Sequence, residues 1–201
     1  MVDEAHSSCV IGETGSGVDE YFGLSPDDID IKMGTLSKGL GACGGYLAGS
    51  EALVEYMRYN IPGFVFSVGL SPPVAAAALE ALRILRRDSS CVAALRRNIS
   101  YFVDAARKAE LNICLAGETA IIPVLIGRDM DAFRLSAMLL DRGVSVPPAV
   151  YPAVPIGAAR LRFCVTSSHK KEQIDIAIAQ LLEAAKEAGV TLPPAAVKGA
   201  S

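Results

Sequence analysis

The stretch GTLSKGLGACGGY, residues 34–46, places a single lysine, Lys38, among glycines and hydroxyl side chains. The segments at 29–33 and 45–48, on either side of this loop, have the composition of buried strands. The glycines leave space for a flat ligand beside the backbone. A lysine removed from solvent at such a place has a lowered pKa and becomes a nucleophilic amine able to form a Schiff base. The alternative is an ordinary lysine on a turn, with its ammonium group in water.

The rest of the chain alternates between strand and helix patterns, which favours an α/β fold. Further strands are expected at 120–126, 144–146 and 160–166. Helices are expected at 51–59, 72–87, 90–109 and 131–142. A last helix has one apolar stripe, formed by Ile174, Ala177, Ile178, Leu181, Leu182 and Ala185.

This layout predicts two domains and a tail. Residues 1–88 are expected to be the end of a larger domain, and residues 89–190 a smaller α+β domain. The tail at 191–201, TLPPAAVKGAS, has the composition of a disordered terminus.

Composition is that of a folded protein in water, with 51% hydrophobic and 20% charged residues among 201. The apolar run at 74–85 contains Glu80 and Arg83 and is too short to cross a bilayer, so we expect no membrane insertion. The first residues, Met-Val-Asp-Glu, lack the basic and apolar pattern of a secretion signal, so we expect that the protein is not secreted. Its five cysteines lack Cys-x-x-Cys spacing, which predicts buried thiols in a reducing cytoplasm and no metal site.

The segment VDEAHSS, residues 2–8, contains the acidic box of many nucleic-acid helicases. That box works beside a phosphate-binding loop that ends in Gly-Lys-Ser/Thr, and the glycines at 12–17 have no lysine after them. The 19 basic and 22 acidic side chains give a net charge of −3, without a basic stripe for phosphates. We therefore expect no nucleic-acid partner.

Asp3 of the same segment suits another chemistry together with Lys38. An enzyme that uses pyridoxal phosphate needs a lysine to anchor the aldehyde and a carboxylate to keep the pyridine nitrogen protonated. The segments DEAHSSCVIGETGSG (3–17) and GTLSKGLGACGGY (34–46) resemble those of the α-oxoamine synthases, a family of such enzymes. The resemblance continues in FVFSVGLSPP (64–73) and YPAVPIGAARLRFCVTSSH (151–169). It implies the C-terminal part of a fold-type I pyridoxal-phosphate transferase.

The resemblance also implies roles for three residues near the cofactor ring. Lys38 would form the Schiff base, and Asp3 would pair with the pyridinium nitrogen. His6 would hydrogen-bond the phenolic oxygen, although a histidine that only stabilises a turn is the alternative.

Further roles are implied for the cofactor phosphate and the substrate. Thr35 would bind the phosphate, and Ser67 would reach the phosphate of the neighbouring subunit in a homodimer; both are otherwise ordinary turn hydroxyls. Arg162 would grip the carboxylate of the amino acid with two parallel hydrogen bonds. Arg160 is expected to point to the opposite face of the strand, and an error in strand phase would exchange these two arginines.

The implied reaction is the decarboxylative condensation of an amino acid with an acyl thioester, carried by coenzyme A or by an acyl carrier protein. Family members are about twice as long, so the chain is expected to be a fragment whose own activity is doubtful. Cys9 departs from the family, which usually has glycine there. An aminotransferase and a non-catalytic partner subunit are the alternatives, and the presence of Lys38 argues against the latter.

Overall fold

The computed structural model describes residues 1–195, which divide into two compact units, Met1–Ala93 and a second unit that begins at Ala94. Each unit contains a three-stranded sheet. The boundary falls inside a helix, five residues after the expected end of the first domain at residue 88.

The first unit is built on a sheet in which the strands lie in sequence order. Strand β2 pairs in parallel with β1 and antiparallel with β3. The strands are β1 (Val2–Asp3), β2 (Ile31–Thr35) and β3 (Gly45–Gly49). The helices are α1 (Val18–Phe22), α2 (Glu51–Asn60), α3 (Pro62–Val65) and α4 (Pro72–Arg87), with a 3-10 turn at Pro26–Asp28.

The second unit has an antiparallel sheet in the order β4-β6-β5. Its elements are the C-terminal part of α5 (Ser90–Lys108), then β4 (Ile121–Gly127), α6 (Asp129–Asp141), β5 (Pro148–Ala149), β6 (Ala159–Cys164) and α7 (Lys171–Ala188). Helix α6 contacts all three strands and α7. Alternate residues of β4 and β6 are buried, as expected for a sheet covered on one face.

The expected strand at 144–146 is wrong, and the third strand of this sheet is Pro148–Ala149. The reason is that residues 144–146 bond back to α6: the amide of Val144 donates to the carbonyl oxygen of Leu139 (2.8 Å), and the hydroxyl of Ser136 donates to the carbonyl oxygen of Val146 (2.6 Å). Pairing with β6 begins only after this segment has left the helix.

The apolar stripe of α7 is narrower than expected. Ile178 and Leu181 are buried, but Leu182 is 39% exposed, because it lies one position beyond the face that packs on the sheet. The first residues of the predicted tail are paired, since Leu111 forms a β-bridge with Pro194. Residues 196–201 of that prediction lie outside the described part of the chain.

The prediction of buried thiols is wrong. Cys43, Cys91 and Cys164 are exposed, and Cys9 and Cys114 are half-buried. They lie in loops, at the first turn of α5 and at the C-terminal end of β6, outside the buried cores. Among residues 1–195, no helix is both long and apolar enough to span a bilayer.

Candidate active site

The sheet of the first unit brings Asp3 and the Lys38 loop to one edge. Strands β1 and β2 run in parallel, with Asp3 paired to Met33, so both strands end on the same side of the sheet. Asp3 ends β1, and Thr35 ends β2 three residues before Lys38. In open α/β sheets, ligands bind outside the carboxyl ends of the strands. Asp3 and the Lys38 loop therefore both lie at the carboxyl ends of the strands, where a ligand is expected to bind.

The carboxylate of Asp3 is exposed but oriented. Its Oδ1 accepts a hydrogen bond from the amide of Ala5 (2.8 Å). His6, in the turn that follows, is also exposed and has interacting neighbours. Between them, Glu4 is only 4% exposed and is the buried charged side chain of the described residues. The motif predicted roles for the flanking Asp3 and His6 and none for Glu4, whose burial depends on a contact with Val18, 14 residues away.

The Lys38 loop is a closed structure held by its own backbone. The amide of Leu36 donates to the carbonyl oxygen of Gly44 (2.9 Å), and the amide of Ala42 donates to that of Leu36 (2.8 Å). The hydroxyl of Thr35 donates to the same Gly44 oxygen (3.2 Å) and lies 2.8 Å from the hydroxyl of Ser37. The loop thus fixes two adjacent hydroxyls beside Lys38.

Lys38 is exposed in this chain, so the expectation that it is removed from solvent is wrong. Its neighbours Ser37 and Gly39 have small side chains or none, and they cannot cover an extended lysine. The amine is therefore accessible to a ligand that approaches the edge of the sheet.

The two motifs touch at Gly39 and Cys9. A Cβ atom built on Gly39 would lie 2.4 Å from the Cβ of Cys9, so any side chain at Gly39 would push the loop away from the turn. Cys9 itself has a φ of 66°, in the left-handed region that favours glycine, which is the residue the resembled family usually has there. Burial and the nearby Cys91 raise the pKa of the Cys9 thiol.

Space beside these motifs is open to solvent. A cavity of about 530 Å³ has Ser8, Cys9 and Leu40 in its lining, but neither Asp3 nor Lys38. The site residues of the first unit therefore lie along a sheet edge that the described residues do not enclose.

Ser67 lies in the exposed segment after α3. Its hydroxyl donates to the carbonyl oxygen of Val68 (3.3 Å), and Phe66 and Val68 beside it are 87% and 97% exposed. The structure does not bring Ser67 into the hydrogen-bond network of the Lys38 loop described above.

Arg162 lies on β6 of the second unit, with Arg160 two positions before it. The prediction that these arginines point to opposite faces is wrong, because alternate residues of a strand share a face. Leu161 and Phe163 are buried on one face, and both arginines are half-buried on the other. Arg160 is tied to the carbonyl oxygen of Ala158 through Nε (3.0 Å). The two arginines thus share one face of β6.

A family model described as aminotransferase class I and II matches residues 1–181. The chain therefore belongs to the aminotransferase class I and II family. Its expected α/β transferase fold is confirmed by solved structures of similar proteins. One is a high-resolution structure of SPT with a PLP internal aldimine, with a TM-score of 0.86 and 29% identity over 94% of this chain and 48% of that one.

Among curated relatives, the chain is similar to 8-amino-7-oxononanoate synthase 1 of Bacillus velezensis, with 41% identity over 187 residues. The match covers 93% of this chain and 47% of the relative. The crystal structure of the 8-amino-7-oxononanoate synthase from Francisella tularensis gives a TM-score of 0.82 and 27% identity, covering 94% of this chain and 55% of that one. The resemblance found in the motifs is confirmed, and the chain spans about half the length of the curated relatives it matches.

Proposed function

We propose that the chain is part of a pyridoxal-phosphate-dependent α-oxoamine synthase, which condenses an amino acid with an acyl thioester and releases carbon dioxide. One observation carries the proposal: a carboxylate, Asp3, and a lysine loop, Lys38, leave the same edge of two adjacent parallel strands. The relatives named as synthases support the reaction class.

The donor set at this edge fits the cofactor. Lys38 is an accessible amine, Asp3 is a carboxylate oriented by a backbone amide, and Thr35 and Ser37 present paired hydroxyls. Bound pyridoxal phosphate supplies an electron sink for the α-carbon of the amino acid. In the proposed site, Asp3 keeps a proton on the pyridine nitrogen, and Lys38 binds the aldehyde and then moves the α-proton.

The remaining residues are assigned to the periphery of the cofactor and to the substrate. His6 hydrogen-bonds the phenolic oxygen, and Thr35 binds the phosphate. Ser67 reaches the phosphate of a second subunit, so the active protein is a homodimer; the exposed apolar residues beside Ser67 support an interface there. Arg162 binds the carboxylate of the amino acid as a two-pronged donor.

The proposal also includes the domain boundaries, the acyl donor and the cellular location. Residues 1–88 belong to the cofactor-binding domain and residues 89–190 to the small C-terminal domain. The acyl donor is a thioester of coenzyme A or of an acyl carrier protein. The enzyme acts in the cytoplasm.

The test uses the full-length protein that carries this sequence, supplied with pyridoxal phosphate, an amino acid and an acyl-coenzyme A. A synthase releases thiol and carbon dioxide in equal amounts, and Lys38→Ala abolishes both. Lys108→Ala, a change at an exposed lysine of α5, is the matched control and keeps full activity. Formation of a keto acid without thiol release would identify an aminotransferase and overturn the proposal.

A further inference from the structure

Glu4 lies between the two residues assigned to the cofactor ring, and its backbone organises the turn that carries them. Its amide donates to the carbonyl oxygen of Met33 (2.6 Å), which joins the end of β1 to β2. Its carbonyl oxygen accepts from the amides of Ser7 (3.2 Å) and Ser8 (3.0 Å). The backbone on both sides of His6 is therefore tied to Glu4.

The side chain of Glu4 fixes the same turn from the inside. Its carboxylate accepts hydrogen bonds from the hydroxyl of Ser7 and from the amide of Val18, which lies 3.1 Å and 3.3 Å from the two oxygens. The backbone comes this close because residue 17 is glycine: a Cβ atom on Gly17 would lie 2.5 Å from a carboxylate oxygen of Glu4.

A buried carboxylate is costly unless hydrogen bonds satisfy it. Glu4 meets that condition, with both oxygens engaged and the residue only 4% exposed. An apolar residue would fill the same space without the desolvation cost but could not hold Ser7 and Val18. A glutamate at this buried position is therefore explained if the site requires the turn to have a fixed geometry.

We propose that Glu4 is the positioning residue of the proposed site: it sets the directions of the Asp3 carboxylate and the His6 imidazole without touching the cofactor. The catalytic consequence rests on the proposed function, whereas the geometric claim does not. Asp3 is held between the β1 pairing and its bond to the Ala5 amide, and His6 lies between Glu4 and the two serines whose amides bond the carbonyl oxygen of Glu4.

The geometric claim is tested on the 201-residue chain without cofactor. Glu4→Ala should speed amide exchange at Val18 about tenfold, the loss expected for a hydrogen bond to a charged acceptor. The amides of Ser7 and Ser8, which bond the backbone carbonyl that alanine keeps, should exchange faster by a smaller factor as the turn loosens. The imidazole resonances of His6 should shift, and those of His169, the second of the two histidines, should not. Glu4→Gln keeps the size and one acceptor oxygen, so it should show a smaller change of the same kind if the alanine variant does not fold.

Glu20→Gln is the matched control, because Glu20 also accepts backbone hydrogen bonds in the same loop, from the amides of Thr14 (2.9 Å) and Ser16 (3.0 Å). It should loosen those amides and leave the His6 resonances unchanged. Unchanged His6 resonances in both Glu4 variants would overturn the inference.

The catalytic claim is tested on the full-length protein. Glu4→Gln should keep the borohydride-reducible label on Lys38 while amino-acid α-proton exchange falls at least about tenfold, which follows if the electron sink is misaligned and the attachment is intact. Equal loss of label and exchange would indicate general unfolding and contradict a positioning role. Absence of the label on Lys38 in the wild-type protein would contradict the proposed function. The role of Glu4 in the turn would then be decided by the cofactor-free experiment alone.

Discussion

The two units differ in how completely they bury their apolar residues. Among the described residues, six buried apolar side chains lie in the first unit and 23 in the second. The second unit buries large residues fully, such as Leu139 and Leu161, whereas the first leaves Phe64, Phe66 and Val68 exposed. The unit with the cofactor motifs is therefore the one with the less complete core.

The difference in burial predicts that the second unit contributes most to the stability of the chain, whereas the first unit contains the cofactor motifs. The second unit has an alternating sheet covered by helices, and such packing supplies most of the free energy of folding. The first unit relies on backbone hydrogen bonds and on contacts between loops, as at Gly39 and Cys9. Substitutions in the buried core of the second unit should mainly change stability, and substitutions at the sheet edge of the first should mainly change ligand binding.

The largest effect is expected from alanine substitution of a buried leucine in the second unit, compared with an exposed leucine in the first. Leu139→Ala on α6 removes a fully buried side chain and should lower the free energy of unfolding by about 2–5 kcal/mol. Leu82→Ala on α4 of the first unit, where the leucine is 41% exposed, should cost less than about 1 kcal/mol. Urea unfolding followed by circular dichroism measures both, and equal costs would show that the first unit has a comparable core.

A second test concerns the exposed segment of the first unit. Large exposed apolar side chains promote association, so the 201-residue chain should associate in a concentration-dependent manner. The double variant Phe66→Ser and Val68→Ser should weaken this association at least about tenfold. Leu115→Ser, a change at an exposed leucine of the second unit, is the control. Sedimentation equilibrium gives the constants, and association that is insensitive to the double variant would move the interface elsewhere.

The arginines of β6 offer a test of substrate binding in the second unit. Arg162→Lys should raise the KM for the amino acid about tenfold or more in the full-length protein, because an ammonium cannot make two parallel hydrogen bonds. Arg160→Lys should change KM much less. Steady-state kinetics at saturating thioester distinguish them, and the reverse order would assign the carboxylate to Arg160.

A smaller effect is expected at the turn between α6 and β5. Ser136→Ala removes the hydrogen bond from the hydroxyl to the carbonyl oxygen of Val146 and should cost about 1 kcal/mol of stability. Thermal unfolding measures this loss. Ser100→Ala, at an exposed position on α5, should leave the transition unchanged.

The smallest expected effect is a dependence on pH at the start of α5. The Ser90 amide that donates to Asp88 holds the pKa of this carboxyl below its ordinary value. A lowered folded-state pKa stabilises the protein above the unfolded-state pKa, and this contribution is lost as the pH falls through the folded-state value. The stability difference between the wild type and Asp88→Ala should therefore be present at neutral pH and vanish in acid. A difference that grew in acid would contradict this sign.

Sequence patterns predicted most of the elements because they are local. The glycine-rich loop, the helix after Pro72 and the strand formed by the apolar run of β4 all follow from local residue patterns. The prediction of a strand at 144–146 was wrong because backbone groups of this segment form hydrogen bonds with α6 instead of with a neighbouring strand. Glu4 was missed because its partner Val18 lies 14 residues away, and no local spacing reports such a contact.

The cofactor motifs were accessible to sequence reasoning for a different reason. Asp3 and Lys38 lie in short segments whose residue types are dictated by chemistry, so the resemblance appears before any fold is known. The exposure of Lys38 and the shared face of Arg160 and Arg162 depend on packing and on strand geometry. The exposure of Lys38 could be found only from coordinates. The shared face of Arg160 and Arg162 could have been predicted from the alternation of side chains along a strand.

The central claim is that Lys38 anchors pyridoxal phosphate at the edge shared by β1 and β2. The most direct measurement is borohydride reduction of the full-length protein with pyridoxal phosphate, followed by peptide mapping by mass spectrometry. We predict one reduced pyridoxyl group per chain, attached to Lys38. The Lys38→Ala variant should carry no stoichiometric pyridoxyl group on any lysine. A pyridoxyl group on another lysine at the same stoichiometry, with Lys38 unmodified, would contradict the account.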